Sequence, residues 1–278
     1  LLASRGAKVV VNDPGGAVDG SGGANAVADS VVAEIKAAGG EAVANYNSVA
    51  DWDGAHGIIK TAMDTWGRLD ILVNNAGILR DKAFINMTRE EYDLVNAVHH
   101  MGTAYCIKAA WPIMRAQQYG RIVVTTSGSG TVGNFGQANY GAAKMAVNGL
   151  INVLRFEGAK YNIRCNAISP SAWTRMTEKL LPPDVGQWMK PELVSPMVAW
   201  LCSEECDQNG EIMAATAGGY ARVQYYVTDG VQFDPAEPVT IEMIQENIGK
   251  IRDLDTTIPY TGMFGTVEKK LRAMGRIK

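Results

Sequence analysis

The sequence predicts an α/β fold with a doubly wound parallel sheet, and three observations lead to this prediction. The chain has 278 residues, which is long enough to bury a large core. Short apolar runs rich in β-branched residues alternate with longer segments of helical periodicity. Glycines and polar residues follow the ends of many of these segments. Strands separated by helices of this length are typical of βαβ units in a parallel sheet.

The predicted elements follow one another in this alternating order. Strands are predicted at residues 8–12, 41–46, 70–73, 120–126, 163–169 and 210–215. Helices are predicted at residues 24–38, 52–66, 89–118, 139–161 and 191–203. The first seven residues have the pattern of a helix end that Gly6 terminates. We therefore expect that the strand and glycine-rich turn that open a doubly wound fold are absent from the given chain.

The last part of the sequence has a different pattern. Two apolar runs flank Thr228-Asp229-Gly230, which predicts a β-hairpin. Residues 239–252 predict an amphipathic helix. We therefore expect a main domain over residues 1–220, and a C-terminal extension over residues 221–278 that packs on the same domain.

Composition narrows the range of partners. A net charge of −3 gives no electrostatic reason to expect binding to nucleic acid or to an anionic membrane. No apolar run approaches the roughly 20 residues that a membrane span needs.

The four cysteines are scattered, which favours reduced thiols and a cytoplasmic location. Cys202 and Cys206 are four positions apart, but no histidine lies near them in the sequence, so we predict no metal site.

The strongest chemical signal is a tyrosine followed four positions later by a lysine. Tyr140 and Lys144 share one face of a predicted helix. An ammonium group beside a phenol favours the phenolate, so we expect Lys144 to lower the pKa of Tyr140. Such a phenol can act as an acid or a base near neutral pH. The same spacing also occurs by chance on solvated helix faces.

Two further segments make a chance spacing less plausible. Ser127 lies thirteen residues before Tyr140, just after a predicted strand, where its hydroxyl can stabilise charge on a substrate oxygen. Asn74-Asn75-Ala76-Gly77 ends the preceding strand. Both segments lie at the carboxyl edge of the predicted sheet, where open α/β folds bind ligands.

A glycine-rich segment after the first predicted strand has two interpretations. Gly16, Gly20 and Gly22 could cradle a pyrophosphate, or they could form a connection after the strand. The cradle is disfavoured because the Asp13 carboxylate would repel phosphate and Pro14 lacks a backbone donor. Asp13 can instead accept both hydroxyls of an adenosine ribose, which favours NAD over NADP, or it can be a turn aspartate.

These motifs together resemble the short-chain dehydrogenase/reductase family, which has a Rossmann-like fold. The resemblance covers residues 1–219. Four features are similar to a finer group within the family: Val11-Asn12-Asp13 with the glycine-rich loop that follows, NNAGILRD (residues 74–81), GNFGQANYGAAK (residues 133–144) and TRMT (residues 174–177). That group contains the (3R)-hydroxyacyl-CoA dehydrogenase units of peroxisomal multifunctional enzymes of type 2 and their stand-alone bacterial relatives. Its members use NAD to oxidise 3-hydroxyacyl-CoA.

The resemblance implies roles for individual residues in a dinucleotide-binding and catalytic domain. Tyr140 would be the general base, Lys144 its partner, and Ser127 the hydroxyl that orients the substrate. His99 stands where most members carry a proton-relaying Asn, so it is either a relay or a core residue. The implied cofactor-binding residues are Asp13, Ser48, Val49, Asn75, Ala76, Gly77, Tyr140, Lys144, Ala172, Trp173 and Thr174.

The resemblance also implies a substrate and an assembly. The expected substrate is an acyl-CoA thioester of fatty-acid metabolism, and Arg80, Lys82 and Arg175 are candidates to contact its phosphates. A steroid, a 3-oxoacyl carrier protein or a catalytically silent role are the alternatives. We expect a homodimer or homotetramer.

Overall fold

The computed structural model has the predicted alternation of strands and helices, and it describes residues 1–23, 26–178, 182–260, 271–272 and 275–276. The chain divides into two units, Leu1–Arg222 and Val223–Lys278. The strands up to the unit boundary are β1 (Val9–Asn12), β2 (Ala42–Asn45), β3 (Ile71–Asn74), β4 (Gly120–Thr125), β5 (Ile163–Ser171), β6 (Ile212–Thr216) and β7 (Gly219–Val223). The helices of the first unit are α1 (Ala26–Ala37), α2 (Trp52–Trp66), α3 (Arg89–Asn96), α4 (Gly102–Gln117), α5 (Gly128–Thr131), α6 (Ala138–Ala159), α7 (Pro183–Gly186) and α8 (Ser195–Cys202).

The strands of this unit fall into two sheets. Five strands form one sheet in the order β3-β4-β5-β6-β7, in which β3 to β6 are parallel. Strands β1 and β2 form a separate parallel pair, in which Val9 faces Ala42. None of the described strands joins β1 to β3. The α/β class with a mainly parallel sheet is therefore confirmed, with the described sheet in two parts.

Local sequence signals explain most helix boundaries. The Asp51 side chain accepts a hydrogen bond from the Gly54 amide at 2.6 Å and so caps the first turn of α2. Gly67 ends α2 with a left-handed φ of 73°. Thr88 and Glu91 form a capping box at the start of α3. The predicted start of α1 at residues 24–25 lies outside the described residues.

Helices α3 and α4 are joined without a break. The segment Ala97–Met101 is a π-helical turn between them, so one long helix covers most of the predicted range. Such a turn inserts one extra residue into the helical repeat and changes the direction in which the side chains project. His99 lies on this turn and projects into the interior.

The core lies around the central strands. Ile122, Val123 and Val124 of β4 are fully buried, as expected for a parallel strand that is covered on both faces. Val123 belongs to a buried cluster that also contains Ile168 of β5 and Leu201 of α8. The four cysteines are free and buried. This rigid centre fixes the carboxyl ends of the strands, which carry the candidate site residues.

The second unit has its own short elements, and it corrects one prediction. It contains β8 (Tyr226–Thr228), α9 (Ile241–Ile251) and β9 (Thr257–Pro259). The amphipathic helix is confirmed, with Thr240 as its cap. The predicted hairpin at Thr228-Asp229-Gly230 is wrong. The antiparallel partner of β8 is β9, which follows α9 in the sequence. Residues 261–270 of the predicted extension lie outside the described part, and its packing on the main domain stays a prediction.

None of the helices in the described ranges is long and apolar enough to cross a membrane. Within the same ranges, no group of three or more histidine, cysteine or acidic side chains could hold a metal ion.

Candidate active site

Helix α6 and the carboxyl end of β4 bring together the residues of the strongest sequence motif. The Lys144 ammonium lies 5.5 Å from the centre of the Tyr140 ring, so the two side chains face the same space. Lys144 is only 4% exposed, and its Nζ donates a hydrogen bond to the carbonyl oxygen of Thr125 at 2.6 Å. Because Thr125 is the last residue of β4, this bond fixes α6 against the edge of the sheet.

Ser127 completes this cluster from the segment that follows β4. It is the N-cap of α5, and its Oγ accepts a hydrogen bond from the Ser129 amide at 3.2 Å. Its hydroxyl also hydrogen-bonds the Tyr140 phenol and acts to lower the pKa of Tyr140. The structure thus brings Ser127, Tyr140 and Lys144 together, as the motif predicts.

Burial dominates the protonation of this cluster. Burial raises the pKa of Tyr140, the hydrogen bond from Ser127 opposes that rise, and the charge of Asp81 adds to it. Burial also lowers the pKa of Lys144 from 10.5 to about 7. The predicted lowering of the Tyr140 pKa by Lys144 is therefore wrong for the protein alone. Burial is the largest cause of the Tyr140 shift, and the Ser127 hydrogen bond is the one cause that lowers the pKa. Lys144 Nζ donates its hydrogen bond to the Thr125 carbonyl.

His99 lies behind the Tyr140 ring. The two rings meet edge to face with their centres 5.0 Å apart. His99 Nε2 lies 3.0 Å from the amide nitrogen of Ile78 and 2.8 Å from its carbonyl oxygen. Burial, with a smaller contribution from the charge of Lys144, lowers the pKa of His99 to about 3. The imidazole is therefore neutral near neutral pH, and its Nδ1 has no hydrogen-bond partner among the described residues.

The segment after β3 approaches this cluster closely. Asn75 Oδ1 accepts a hydrogen bond from Thr125 Oγ1 at 2.9 Å, which links the ends of β3 and β4. A Cβ atom on Gly77 would lie 2.4 Å from His99 Cε1, so the backbone can pass here only as glycine. Ala76 between them is exposed. These three predicted cofactor residues therefore lie beside the cluster.

The predicted adenosine-side residues follow the ends of β1 and β2. The Asp13 carboxylate accepts a hydrogen bond from the Gly15 amide at 2.6 Å, as a turn aspartate does. Ser48 Oγ accepts a hydrogen bond from the Ala50 amide at 3.2 Å. Val49 lies against Gly102, the first residue of α4. These residues share the carboxyl edge of the smaller sheet.

The glycine-rich segment after Asp13 is a connection with internal hydrogen bonds. The Ala17 amide donates to the Ser21 carbonyl and the Gly20 amide donates to the Ala17 carbonyl. The Val18 carbonyl accepts a hydrogen bond from the Leu79 amide, so the segment is also tied to the chain after β3. The amide of Gly20, one of the three glycines of the alternative cradle, is therefore already paired, which favours the second of the two interpretations.

The segment after β5 contains the last three predicted residues. The Trp173 amide donates to the Met189 carbonyl at 2.6 Å, and its ring lies against Gly186 of α7. The Ala172 carbonyl and the Thr174 amide both hydrogen-bond the Thr177 hydroxyl. The structure therefore places Trp173 against α7, and its predicted position beside a nicotinamide stays a prediction.

Comparison with known proteins identifies the family. The family described as short chain dehydrogenase matches residues 2–183. A putative short-chain type dehydrogenase/reductase of Mycobacterium tuberculosis, Rv0148, is 52% identical over 253 residues, which are 91% of this chain and 88% of that protein. The chain belongs to the short-chain dehydrogenase family. It is therefore an oxidoreductase.

Two solved structures resemble this short-chain dehydrogenase. Full-length peroxisomal multifunctional enzyme type 2 from Drosophila melanogaster has a TM-score of 0.81 and 39% identity, over 98% of this chain and 45% of that one. The chain thus spans less than half of that relative. A 7α-hydroxysteroid dehydrogenase, complexed with NADH and 7-oxo glycochenodeoxycholic acid, has a TM-score of 0.70 and 26% identity. This match covers 78% of the present chain and 86% of that structure.

The structure also shows polar residues that sequence reasoning missed. Asn139 is fully buried, and its Nδ2 donates to the carbonyls of Arg80 and Glu91 at 3.0 and 3.2 Å. Gln137 is 6% exposed and bonds to the Asp81 carboxylate. The signal was present, because these residues lie in the two segments, 74–81 and 133–144, that carried the finer resemblance. Only the fold shows that the two segments meet.

Proposed function

We propose that this short-chain dehydrogenase uses NAD to oxidise a secondary alcohol, specifically a 3-hydroxyacyl-CoA, to the ketone. The observation that carries the proposal is the cluster of the half-buried Ser127 and Tyr140 with the buried Lys144 at the carboxyl edge of the sheet. A catalytically silent role would give no reason to bury a lysine against a phenol at the expense of its charge.

The residues around the cluster suit a nicotinamide dinucleotide. Such a cofactor would accept a hydride from the alcohol carbon. Asp13 Oδ1 accepts a hydrogen bond from the Gly15 amide, and the other carboxylate oxygen makes no hydrogen bond within the described part of the chain, so it can accept a ribose hydroxyl. A 2′-phosphate would be repelled there, which favours NAD over NADP. Asn75 and Lys144 would lie on the nicotinamide side, with residues 172–174 along the opposite wall.

The proton follows a separate path through the chain's own side chains. The Tyr140 phenolate takes the proton of the substrate hydroxyl while the carbon–oxygen double bond forms. The Ser127 hydroxyl donates to the same substrate oxygen and holds it in place. His99 stays neutral and supports the phenol ring from behind. It cannot be a cationic acid near neutral pH, so any relay through it uses the neutral imidazole.

The substrate class rests on similarity and on surface charge. The resemblance of residues 74–81 and 133–144 to (3R)-hydroxyacyl-CoA dehydrogenase units supports an acyl thioester, whereas the hydroxysteroid dehydrogenase structure supports a steroid alcohol. Lys82 forms an ion pair with Glu91 at 2.6 Å, and Arg80 donates to the Asp19 carbonyl. Arg175 is exposed and remains the candidate contact for coenzyme A phosphates. Homodimer or homotetramer formation and a cytoplasmic location belong to the same proposal.

One substitution tests the catalytic assignment. Tyr140→Phe should abolish turnover and leave NADH binding unchanged, because the ring stays and only the proton-carrying oxygen is lost. Tyr161→Phe is the matched control, since its hydroxyl contacts the surface residue Arg115 and lies outside the cluster. Turnover with NAD is followed by absorbance, and NADH binding by fluorescence. A Tyr140→Phe enzyme with the wild-type rate would remove the mechanism.

A second experiment tests cofactor and substrate. Asp13→Ala should weaken NAD binding about 10- to 100-fold, the effect of losing a charged hydrogen bond, while NADP binding weakens less or improves.

A panel of 3-hydroxyacyl-CoA thioesters, free hydroxy acids and hydroxysteroids should give turnover with the thioesters alone. Equal rates on steroids would transfer the assignment to the second substrate class.

A further inference from the structure

A chain of hydrogen bonds joins the surface carboxylate of Asp81 to the candidate catalytic serine. Gln137 Nε2 donates to Asp81 Oδ2 at 2.7 Å, and Gln137 Oε1 accepts from the Ser129 hydroxyl at 2.7 Å. The Ser129 amide in turn donates to Ser127 Oγ at 3.2 Å. Gln137 is almost wholly buried, so both ends of its amide are held in place by these bonds.

This chain fixes the direction of the Ser127 hydroxyl. A serine oxygen that accepts a hydrogen bond from a backbone amide has its remaining proton directed away from that amide. The partner of that remaining donor is the Tyr140 phenol, whose pKa the hydrogen bond lowers. The Ser129 amide is held in place because the Ser129 side chain hydrogen-bonds Gln137. Gln137 thus lies two hydrogen bonds away from Ser127.

Asp81 also acts on the same phenol through its charge. Its negative charge raises the pKa of Tyr140, while the Ser127 hydrogen bond lowers it. The other groups that face the phenol ring are Lys144 on α6 and the neutral His99 on the π-helical turn. Asp81 and Ser127, at the two ends of this hydrogen-bond chain, therefore shift the pKa of Tyr140 in opposite directions.

We propose that Gln137 is a positioning residue, which ties Ser129 to Asp81 and so holds the Ser127 hydroxyl toward the Tyr140 phenol, next to which the substrate oxygen would lie. The inference rests on the proposed function for the identity of the reaction. It adds a role for the paired segments 74–81 and 133–144, which are joined a second time by the bond from Asn139 Nδ2 to the Arg80 carbonyl.

The test uses four variants of the whole chain. Gln137→Met keeps the length of the side chain and removes its hydrogen bonds, and Ser129→Ala removes the hydroxyl but keeps the amide. Asp81→Asn keeps an oxygen that can accept from Gln137 and removes the charge. Asn134→Ala is the control, since Asn134 also donates to Gln137 Oε1, at 3.1 Å, but does not lead to Ser127.

The variants are compared by titrating the Tyr140 phenolate by ultraviolet absorbance, with Tyr140→Phe as the blank. Gln137→Met and Ser129→Ala should titrate at higher pH, because the Ser127 donor is no longer aligned. Asp81→Asn should titrate at lower pH, and Asn134→Ala should match the wild type. This measurement needs neither substrate nor cofactor.

Turnover provides the second measurement. Gln137→Met and Ser129→Ala should lower kcat about 10- to 100-fold, as loss of orientation does, with NADH binding unchanged. Wild-type kcat and an unmoved titration in both variants would overturn the inference, and so would an equal fall of kcat in Asn134→Ala. If Tyr140→Phe is inactive while these two variants are fully active, the proposed function stands and the positioning role fails.

Discussion

The close approach of Gly77 to His99 allows a stability effect to be worked out from the structure. A Cβ atom at position 77 would lie 2.4 Å from His99 Cε1, more than 1 Å inside normal carbon contact. Gly77 does not have a left-handed φ, so Gly77→Ala meets no backbone strain and the effect comes from this contact alone. His99 is 2% exposed and has no open space into which to move.

The expected loss of stability in Gly77→Ala has two contributions. Forcing an extra methyl group into a packed site costs about 1 to 3 kcal/mol. Displacing the imidazole also removes its hydrogen bond with the Ile78 backbone at 2.8 to 3.0 Å, and leaving those buried groups unpaired costs about 1 to 3 kcal/mol. Gly77→Ala should therefore lower the free energy of unfolding by about 2 to 6 kcal/mol.

Urea denaturation measures this effect, with Gly149→Ala as the matched control. Gly149 lies in α6 with nothing within 4 Å of its Cβ position, so alanine there should stabilise the protein by about 0.5 to 1 kcal/mol. His99→Ala combined with Gly77→Ala should be more stable than the sum of the two single effects predicts, because the clash is gone. A Gly77→Ala midpoint equal to that of the wild type, or strictly additive effects, would refute the reasoning.

Two other perturbations test the buried polar groups. Burial lowers the pKa of Lys144 from 10.5 to about 7, so the unfolded chain holds a proton that the folded chain releases. Stability should therefore rise with pH between those two values, and Lys144→Met should flatten the rise in urea midpoints measured across that range. Asn139→Ala should cost about 1 to 3 kcal/mol in the same assay, because the half-buried carbonyls of Arg80 and Glu91 lose their donor. A loss below the error of the midpoint would contradict this.

Much of the fold could be predicted because its signals are local. Helix α2 has both of its predicted ends, set by the Asp51 cap and by Gly67. The apolar run of β4 indicates a strand that is buried on both faces. The hairpin failed because β8 finds its partner 29 residues later, in β9, and no local pattern encodes a pairing across an intervening helix.

For the candidate site too, features within one element could be predicted from the sequence, and features that depend on tertiary contacts could not. The spacing of Tyr140 and Lys144 is a property of one helix, and the structure places both side chains where the motif predicts. The direction of the Tyr140 pKa shift was wrong because it depends on burial, which the sequence does not state. The link from Gln137 to Asp81 joins segments 56 positions apart, so it becomes visible only when the loops after β3 and β4 meet.

The opposite pKa shifts of Tyr140 and Lys144 have a common cause, and together they suggest when the base becomes active. Burial favours the neutral phenol and the neutral amine, because both avoid charge in a medium of low dielectric constant. In the protein alone, the phenol therefore keeps its proton. Under the proposed function, Tyr140 loses that proton only when a further positive charge is brought beside it, as an oxidised nicotinamide does. Burial would thus restrict the active base to the complete complex, in which a substrate hydroxyl is the proton donor at hand.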